Sequence, residues 1–553
     1  MWLGWALVLW VMLFWRLGYA SFWDPDEAWY ASATSEMLAR GEWLVPYYNG
    51  VPFFDKPILF YLLQMLAFGL FGESELAARL VPAFSAIVLF AGTAWFGARL
   101  LDVRTARLGT LMLALLPASF ALSAYAILDM TFTAFLFPGL ALIVTAALSE
   151  RPSLQYPGYV LVALAVLTKG PVALVLAGLA FGLALVIAPN ARRPLLGLRW
   201  LLGLAIVLLI SAPWFVYMWW RFGDRFVDGY FLHENIRLFT GSRFASTSSS
   251  FHFLRVVAVG LLPWTPLLIG RAIDIARRSP WPTSERLLWA WAIAVVGFFS
   301  CSRFRFDHYI YPAAPALCLL AAQEWTRLRT VQSLSRHWGS AIGAALVPLM
   351  MVAAGLALGI LILRVPLDLS PVVALAPAAF LVSGVLVIAQ LWRSHFRPSF
   401  PVPLAAAMLI AYTLVLLFAL PRFEEAKPVK RLAREIAVRG LEPNSVATYR
   451  MQRWNPSWHF YVRRTVRQLD EPSELESFLN ESGERFCLML RDDYEELATR
   501  DVRMAIVSER PGLFVTSGRA LRRDRRQAWR SFVVVSNRAS GESNSGSTNG
   551  SAR

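Results

Sequence analysis

The sequence predicts an all-α polytopic membrane protein with a small α/β domain at its C-terminal end. The chain of 553 residues is 57% hydrophobic and only 16% charged, whereas soluble domains average about 25% charged residues. Apolar runs close to the ~20 residues that cross a bilayer recur as far as residue 420. Beyond residue 420 the long runs stop, and shorter patterns typical of helices and strands replace them.

The apolar runs predict thirteen membrane-spanning helices within a transmembrane domain of residues 1–420. The first run has no basic segment before it and no small-residue cleavage site after it, so we expect a retained span rather than a signal peptide. The spans are expected near 2–20, 78–100, 108–127, 130–149, 157–168, 171–189, 198–218, 253–270, 286–302, 309–322, 339–363, 370–391 and 402–420.

One apolar stretch, residues 57–72, is not counted as a span. It holds only 16 residues, and counting it would invert the predicted side of every later loop. We predict an amphipathic helix that lies in the outer membrane interface. The whole segment 21–77 then forms an outer loop with interfacial helices, and its charged residues are mostly acidic.

The charges of the loops predict the orientation of the chain. The net charge of +16 is best read by position, and no nucleic-acid partner is expected from it. Under the positive-inside rule, the basic connections face the cytoplasm. These connections are residues 101–107, 190–199, 271–286, 323–338 and 392–397. An odd number of spans that starts inside places the C-terminus outside.

Residues 421–535 are predicted to form an extracytoplasmic α/β domain. AKPVKRLAREIAVRG has apolar residues at helical spacing, while SVATYRM, RFCLMLR and SFVVVS are typical of short strands. The tail at 536–553 is rich in Ser, Gly and Asn, and we expect it to be disordered. Two of the three cysteines fall in or at apolar segments, which indicates no disulfide framework.

The segment DPDEAWY places three carboxylates directly after the first predicted span. Asp24 fits an N-cap, Pro25 fits the first helical position and Glu27 fits the acid of a capping box. This arrangement predicts a helix that ends at Gly41, since glycine favours the left-handed conformation of a helix end. Such a cap leaves Asp26 without a structural task, although a wholly structural explanation of the three acids stays open.

Further polar residues are predicted at the outer ends of other spans. They are Asp55, Lys56, Asp129, Lys169, His233, Glu234, Arg237, Arg243, Arg303, Arg305, Asp307, His308 and Tyr309. Each one alone is explained by capping or snorkelling at a helix end. As a set, however, they combine acids that accept protons or bind metals with cations that hold an anion. This combination suits the transfer of a group from a phosphorylated lipid.

The run PDEAWYASATSEMLARGEWLVPYYNGVPFFDKPILFYLL closely resembles the first periplasmic loop of bacterial glycosyltransferases that use a lipid carrier. ILDM, LTKGP and the pattern S-R-x-R-x-x-x-Y-I-x-P-x-x-P at 302–315 resemble later landmarks of the same family, in the same order. The family has the GT-C fold and includes lipid A aminoarabinose transferases and protein mannosyltransferases. The resemblance covers residues 20–320 and implies a GT-C fold with about 13 transmembrane helices.

The resemblance, together with the positions of the neighbouring charged residues Glu27 and Arg303, implies roles for individual residues. The expected catalytic residues are Asp26, Glu27 and Asp129, with Asp26 in the lead. The expected contacts to the donor phosphate are Lys56, Arg237, Arg303 and Tyr309. The candidates for binding a divalent metal, the one cofactor considered, are Asp55, His233 and His308.

Two positions depart from the aminoarabinose transferases within this resemblance. Trp29 stands where that group usually has arginine, which bears on the sugar and the acceptor more than on the reaction type. Asp55 stands where that group has a glutamate that can help to bind a metal. The resemblance therefore predicts the reaction class better than it predicts the substrates.

The leading hypothesis is an inverting glycosyltransferase of the bacterial inner membrane with a periplasmic active site. It would move a hexosyl or pentosyl unit from a polyprenyl-phosphate donor to a glycolipid, glycan or protein, as in lipid A modification or protein glycosylation. The alternative is a transporter or lipid flippase, because membrane carboxylates often serve proton relays. A third hypothesis makes the C-terminal domain a carbohydrate- or partner-binding module on an inactive scaffold.

Overall fold

The structure is a computed structural model, and most of the chain is helical. It describes residues 13–149, 151–240, 251–277, 279–330, 337–365, 367–394, 401–451, 456–500, 502–514 and 529–538. Arg243, most of the predicted first span and nearly all of the predicted disordered tail lie outside the described residues.

The predicted spans from 78–100 onwards all consist largely of helix. The helices are Glu75–Leu100, Val103–Ala114, Pro117–Leu122, Asp129–Leu148, Gln155–Lys169, Val172–Ile187, Pro189–Leu196, Trp200–Phe222, His252–Gly260, Thr265–Ala276, Thr283–Ser300, Ala314–Thr330, Trp338–Arg364, Leu375–Arg393, Val402–Leu414 and Leu420–Glu425. In the described part of the chain, six helical segments are long and apolar enough to cross a membrane, or seven with one bent pair. The protein is therefore a multi-pass membrane protein, and the number thirteen stays a prediction.

One predicted span, 108–127, is broken in a way that matters for the site. Its first helix, Val103–Ala114, is followed by the short helix Pro117–Leu122. Pro117 begins this second piece because it lacks the N–H that a continuing helix would need and fits the first helical position. The chain then turns and places Asp129 at the start of the next helix.

The outer loop folds into two helices and a hairpin. The helix Asp26–Arg40 ends at Gly41, whose φ of 64° gives the predicted left-handed end. The stretch predicted to be an interfacial helix forms the helix Leu59–Phe71, and its place in the membrane interface stays a prediction. Between the helices, Tyr47–Tyr48 pairs with Val51–Pro52 in an antiparallel hairpin.

The predicted capping role of Asp24 is wrong. Pro25 occupies the N-cap position of the helix, and no side chain caps it. The Asp24 carboxylate instead accepts hydrogen bonds from the backbone N–H and the hydroxyl of Ser457, in the C-terminal unit. A local pattern suggested the cap, but a residue far along the chain supplies the partner.

Glu27 is buried in an ion pair rather than in a capping box. Its two carboxylate oxygens accept hydrogen bonds from Arg79 at 2.7 and 2.8 Å. They also accept the backbone N–H groups of Trp23 and Ala126 at 2.9 and 2.8 Å. Because both oxygens are engaged and the side chain is inaccessible, the structure gives Glu27 a structural role and we leave it out of the catalytic set.

We expect Glu27→Gln to destabilise the protein strongly. The substitution preserves the shape but leaves the buried Arg79 guanidinium without the carboxylate with which it is paired, and breaking a buried pair costs about 3–5 kcal/mol. The thermal unfolding midpoint of the purified protein in detergent measures this effect. Glu425→Gln is the control, because the pair of Glu425 with Arg422 is half exposed and such pairs contribute about 0–1 kcal/mol. Equal midpoints for the two variants would contradict the structural role.

The C-terminal unit is an α/β fold with a five-stranded sheet. Its strands, in spatial order, are Val466–Leu469, Val446–Tyr449, Phe486–Leu490, Trp529–Ser536 and Ala505–Leu513. The first three strands are mutually parallel, and the last two form antiparallel pairs. The helices are Val429–Ala437, Pro456–Val462, Pro472–Leu479 and Arg491–Ala498. The unit is built from residues beyond the last membrane helix, which continues as far as Glu425.

The three strands predicted from sequence are the buried ones, and the two that were not predicted lie at the edges of the sheet. Ala505–Leu513 is largely half-buried or exposed, so its sequence lacks the apolar run that marks a central strand. Leu432, Ile436 and Trp458 pack on one face of the sheet. Leu475 and Leu497 pack on the other face, and the sheet is thus covered on both sides.

Candidate active site

Polar residues from separate helices meet at the predicted outer end of the bundle. Asp26 opens one helix, Asp55 and Lys56 precede another, Asp129 opens a third, Lys169 ends a fourth, and His308 and Tyr309 lie in the 3-10 helix Asp307–Ala313. The charges of these residues act on one another. The structure therefore brings together most of the site residues predicted from sequence.

Asp55 and Lys56 form an ion pair within this cluster. The Lys56 ammonium lies 2.9 Å from a carboxylate oxygen of Asp55, and Tyr30 donates a hydrogen bond of 2.9 Å to the other oxygen. Burial by itself raises the pKa of the Asp55 carboxyl, but Lys56 and the hydrogen bonds outweigh it and hold the pKa below its ordinary value. The attraction of Asp55 likewise outweighs burial and raises the pKa of Lys56. Both groups are therefore charged at neutral pH.

Asp129 and Lys169 form a second ion pair, on neighbouring helices. The Lys169 ammonium donates to one carboxylate oxygen of Asp129, and His308 Nε2 lies 3.6 Å from the other oxygen. The ammonium also lies 4.6 Å from the centre of the Tyr309 ring. Asp129 thus carries a bound cation, and its charge holds Lys169 beside the first pair.

Asp26 differs from the other acids of the cluster. Within the described ranges, its carboxylate has no hydrogen bond and no ion pair. Burial and the negative charges of Asp55 and Asp129 outweigh Lys56 and raise the pKa of Asp26 to about 6. A carboxylate of this kind is ionised at neutral pH, can accept a proton readily and has both oxygens available.

A π-helical segment, Val227–Arg237, borders the same cluster. Its Glu234 shares a side-chain hydrogen bond with Asp55. Arg237 donates to His233 Nε2 at 2.6 Å, and His233 Nδ1 lies 2.9 Å from the backbone oxygen of Asp228. Such helices are rare and occur frequently at functional sites.

The predicted phosphate contacts fall into two groups. Lys56 and Tyr309 lie in the cluster, whereas Arg237 and Arg303 are exposed. The backbone N–H of Arg303 donates to the carbonyl of Phe239 at 2.9 Å, so the two arginines lie on adjoining segments. The two arginines therefore lie on the solvent side of the cluster, and Lys56 lies deeper. A contact of any of the three with a phosphate stays a prediction.

The three candidate metal ligands are not arranged as a set. In the part of the chain that the structure describes, no group of three His, Cys, Asp or Glu residues could hold a metal ion. Both ring nitrogens of His233 already have partners, and Asp55 is paired with Lys56. These residues do not fit a metal in this arrangement, and we derive no step through one. A metal remains a prediction of the resemblance alone.

Two features of the site were not predicted from sequence. Tyr30, which donates to Asp55, lies four residues after Asp26, and this spacing places both on one side of the helix. Gly170 in LTKGP has a φ of +95°, and a Cβ atom there would lie 2.1 Å from the Tyr230 hydroxyl. Glycine is thus required where Tyr230 packs against the chain next to Lys169. The first signal was present in the sequence, whereas the second needed the fold.

Comparisons with known proteins agree with this arrangement. A model of the family described as dolichyl-phosphate-mannose-protein mannosyltransferase matches residues 55–219. An uncharacterized protein of Aquifex aeolicus is 28% identical over 462 residues, which are 82% of this chain and 85% of that protein. Undecaprenyl phosphate-alpha-4-amino-4-deoxy-L-arabinose arabinosyl transferase 1 of Sodalis glossinidius is 30% identical over 332 residues, 58% of each chain. The match thus spans little more than half of this named transferase.

The fold also matches a solved structure over nearly its whole length. The crystal structure of ArnT from Cupriavidus metallidurans bound to undecaprenyl phosphate has a TM-score of 0.75 and 24% identity, and the match covers 97% of this chain and 98% of that one. The chain therefore has an ArnT-like GT-C fold, with its C-terminal sheet domain included in the match. As the sequence motifs predicted, the chain is similar to GT-C glycosyltransferases of the aminoarabinose transferase and protein mannosyltransferase type.

Proposed function

We propose that this protein is a membrane glycosyltransferase that moves a sugar from a polyprenyl-phosphate donor to an extracytoplasmic acceptor. The observation that carries the proposal is the Asp26 carboxylate, which has no hydrogen bond or ion pair among the described residues and lies close enough to Lys56 and to the paired Asp129 for their charges to act on it. An enzyme of this class needs both a group that accepts a proton and cations that stabilise a departing phosphate. The similarity to ArnT, which was crystallised with undecaprenyl phosphate, supports the choice of donor.

The reaction replaces one bond at the anomeric carbon by another. The acceptor oxygen forms a bond to this carbon while the bond to the phosphate oxygen breaks, and the configuration inverts because attack comes from the opposite face. The polyprenyl phosphate departs with the bonding electrons, and Lys56, with Arg237, Arg303 and Tyr309, offsets its charge. Asp26 accepts the proton of a hydroxyl acceptor.

Asp129 has a supporting role in this proposal. Its charge is compensated by Lys169, so it holds that ammonium close to the reacting phosphate rather than accepting a proton itself. An acceptor that is already ionised, such as a phosphate on a glycolipid, would need no base. In that case, Asp26 would orient the acceptor. Glycolipid, glycan and protein acceptors, and pentose and hexose sugars, all fit this chemistry.

The transporter or flippase hypothesis gains no support. A transporter of this kind needs carboxylates within its membrane-spanning segments that relay protons. Here the acids lie at the ends of helices, and Asp55 and Asp129 are already paired with lysines. The named relatives that we compared are transferases.

We further propose that the active site and the C-terminal unit face the periplasm of a bacterial inner membrane, as the basic loops predict. In a Cys301→Ser background, a cysteine introduced by Glu476→Cys should react with a membrane-impermeant maleimide in intact spheroplasts. A cysteine introduced by Arg193→Cys should react only after permeabilisation. The reverse pattern would invert the orientation. Both sites are exposed.

The pKa of Asp26 predicts a pH dependence of the reaction. Transfer to a hydroxyl requires the ionised carboxylate, so the rate should be constant above pH 7 and should fall about tenfold per unit well below pH 6. The groups that act on this carboxylate are Asp55, Asp129 and Lys56. A pH profile of kcat/KM in the free enzyme measures it, and a rate that rises on acidification would contradict the role of Asp26 as a base.

Mass spectrometry of a deletion strain tests the proposed function as a whole. Loss of the protein should cause one polyprenyl-phosphate sugar to accumulate and one envelope glycolipid, glycan or protein to lose that sugar. Complementation with the wild-type gene should restore both. If neither lipid nor glycan changes, the proposal is wrong.

A further inference from the structure

The C-terminal α/β unit contacts the chain directly before Asp26. Asp24 lies two residues upstream of Asp26, and its carboxylate accepts the backbone N–H of Ser457 at 2.8 Å and the Ser457 hydroxyl. Ser457 lies in the first turn of the helix Pro456–Val462. One hydroxyl and one backbone group of the C-terminal unit therefore hold the entry to the helix that carries Asp26.

This contact is one of several between the same two segments. The hydroxyl of Tyr461 accepts the backbone N–H of Phe22 at 2.8 Å, and the rings of Phe22 and Phe460 meet edge to face with centroids 4.8 Å apart. Ser32, six residues after Asp26 in the Asp26–Arg40 helix, donates to the carbonyl of Pro456 at 3.3 Å. The helix of the C-terminal unit thus packs along the helix of Asp26 rather than touching it at one point.

A second set of hydrogen bonds holds Ser21, the residue just before Phe22. Glu424, in the last membrane helix, accepts both the backbone N–H and the hydroxyl of Ser21 at 2.9 Å. Lys427 donates to the carbonyl of Ser21 at 2.7 Å. Three of the four residues that precede Pro25, namely Ser21, Phe22 and Asp24, are therefore held by the chain that enters the C-terminal unit or by the unit itself.

The N-terminus of the helix Asp26–Arg40 lacks a side-chain cap, and this makes contacts with the preceding chain important. No side chain caps the helix at Pro25, and the first turn of an uncapped helix frays readily. Asp26 has no hydrogen bond of its own in the described structure, so only its backbone fixes the position of its carboxylate. Within the helix, the Arg79 pair of Glu27 supplies part of the missing constraint, and on the chain just before the helix Ser457 supplies the rest.

We infer that Ser457 and Asp24 are positioning residues through which the C-terminal unit holds the Asp26 helix in its reactive place. This inference rests on the proposed function, since it gives Asp26 the role of base. The C-terminal unit is then part of the active-site architecture rather than a separate module for binding a partner. A displacement of about 1 Å at a reacting group can cost as much as 10²-fold in rate.

The test compares Ser457→Ala with Ser445→Ala in the full-length protein in detergent. Both variants remove one buried serine hydroxyl from the C-terminal unit, but the partner of Ser445 Oγ among the described residues is the carbonyl of Glu442, within that unit. Hydrogen–deuterium exchange of residues 24–40 reports the order of the helix without any need for activity. Sugar transfer gives kcat and KM, and the pH profile of kcat reports the ionisation of Asp26.

We expect faster exchange over residues 24–40 in Ser457→Ala only, with a kcat that is between about 10- and 100-fold lower and a displaced acidic limb of its pH profile. KM should change little, because the lysines that hold the phosphate are not displaced. Asp24→Asn, which loses acceptor capacity without adding bulk, should give the same pattern even if Ser457→Ala folds poorly.

Unchanged exchange over residues 24–40 in both variants would overturn the inference, whatever happens to activity. Faster exchange with normal kcat and an unchanged pH profile would also overturn it, because the contact would then be structural only. A wild-type protein that does not transfer the sugar would instead overturn the proposed function, and the exchange data would still decide whether Ser457 orders the helix.

Discussion

Asp26→Asn should lower the rate of sugar transfer to a hydroxyl acceptor by about 10²–10⁴-fold, the usual contribution of a general base. The asparagine keeps the shape of the side chain but cannot accept a proton. Transfer should be measured with purified protein and a polyprenyl-phosphate sugar, at saturating donor. The acidic limb of the pH profile should disappear together with the rate.

Stability should not fall in the same variant. In the described part of the chain Asp26 has no hydrogen bond or ion pair to lose, and the substitution removes its repulsion with Asp55 and Asp129. The melting temperature should therefore equal or exceed that of the wild type, because residues kept for function are often unfavourable for stability. Asp102→Asn is the matched control, since Asp102 caps a helix on the predicted cytoplasmic side and asparagine caps about as well. Equal activity of the two variants would remove Asp26 from the mechanism.

Lys56→Ala should lower kcat by about 10²–10³-fold, the cost of losing one group that stabilises charge in the transition state. The ammonium is held within the cluster by the Asp55 carboxylate at 2.9 Å. Its position is therefore fixed before the donor phosphate binds. Affinity for polyprenyl phosphate, measured by calorimetry in detergent, should fall in parallel. Arg422→Ala, at a half-exposed pair, should leave both quantities unchanged.

A double variant distinguishes the loss of the Lys56 cation from the effect of leaving the Asp55 charge unpaired. Lys56→Ala leaves the Asp55 charge buried without its partner, and that charge alone could repel a phosphate. In Asp55→Asn with Lys56→Ala this repulsion is absent. If the double variant recovers wild-type activity, Lys56 serves only to neutralise Asp55, and the proposed phosphate contact is wrong.

The sequence by itself determined the features that depend on local pattern. Apolar runs of helical length predicted the membrane helices, because the bilayer demands such runs whatever surrounds them. Gly41 predicted a helix end, and three apolar stretches predicted the central strands of the C-terminal sheet. The two edge strands escaped prediction, since a half-exposed strand needs no continuous apolar run. The motif residues Asp26, Lys56 and Asp129 also stood out in the sequence.

Only the tertiary structure decided which polar groups are paired. Glu27 and Asp24 fitted a local helix cap, yet their partners are Arg79 and Ser457, which lie 52 and 433 residues away. The reason is physical: a buried carboxylate needs compensating hydrogen-bond donors, and it takes them from wherever the fold supplies them. Local sequence spacing does not show which distant residues will come close enough to donate. By elimination among the three acids of DPDEAWY, Asp26 is the one whose carboxylate has no hydrogen bond or ion pair among the described residues, and it lies next to the pair of Asp55 and Lys56.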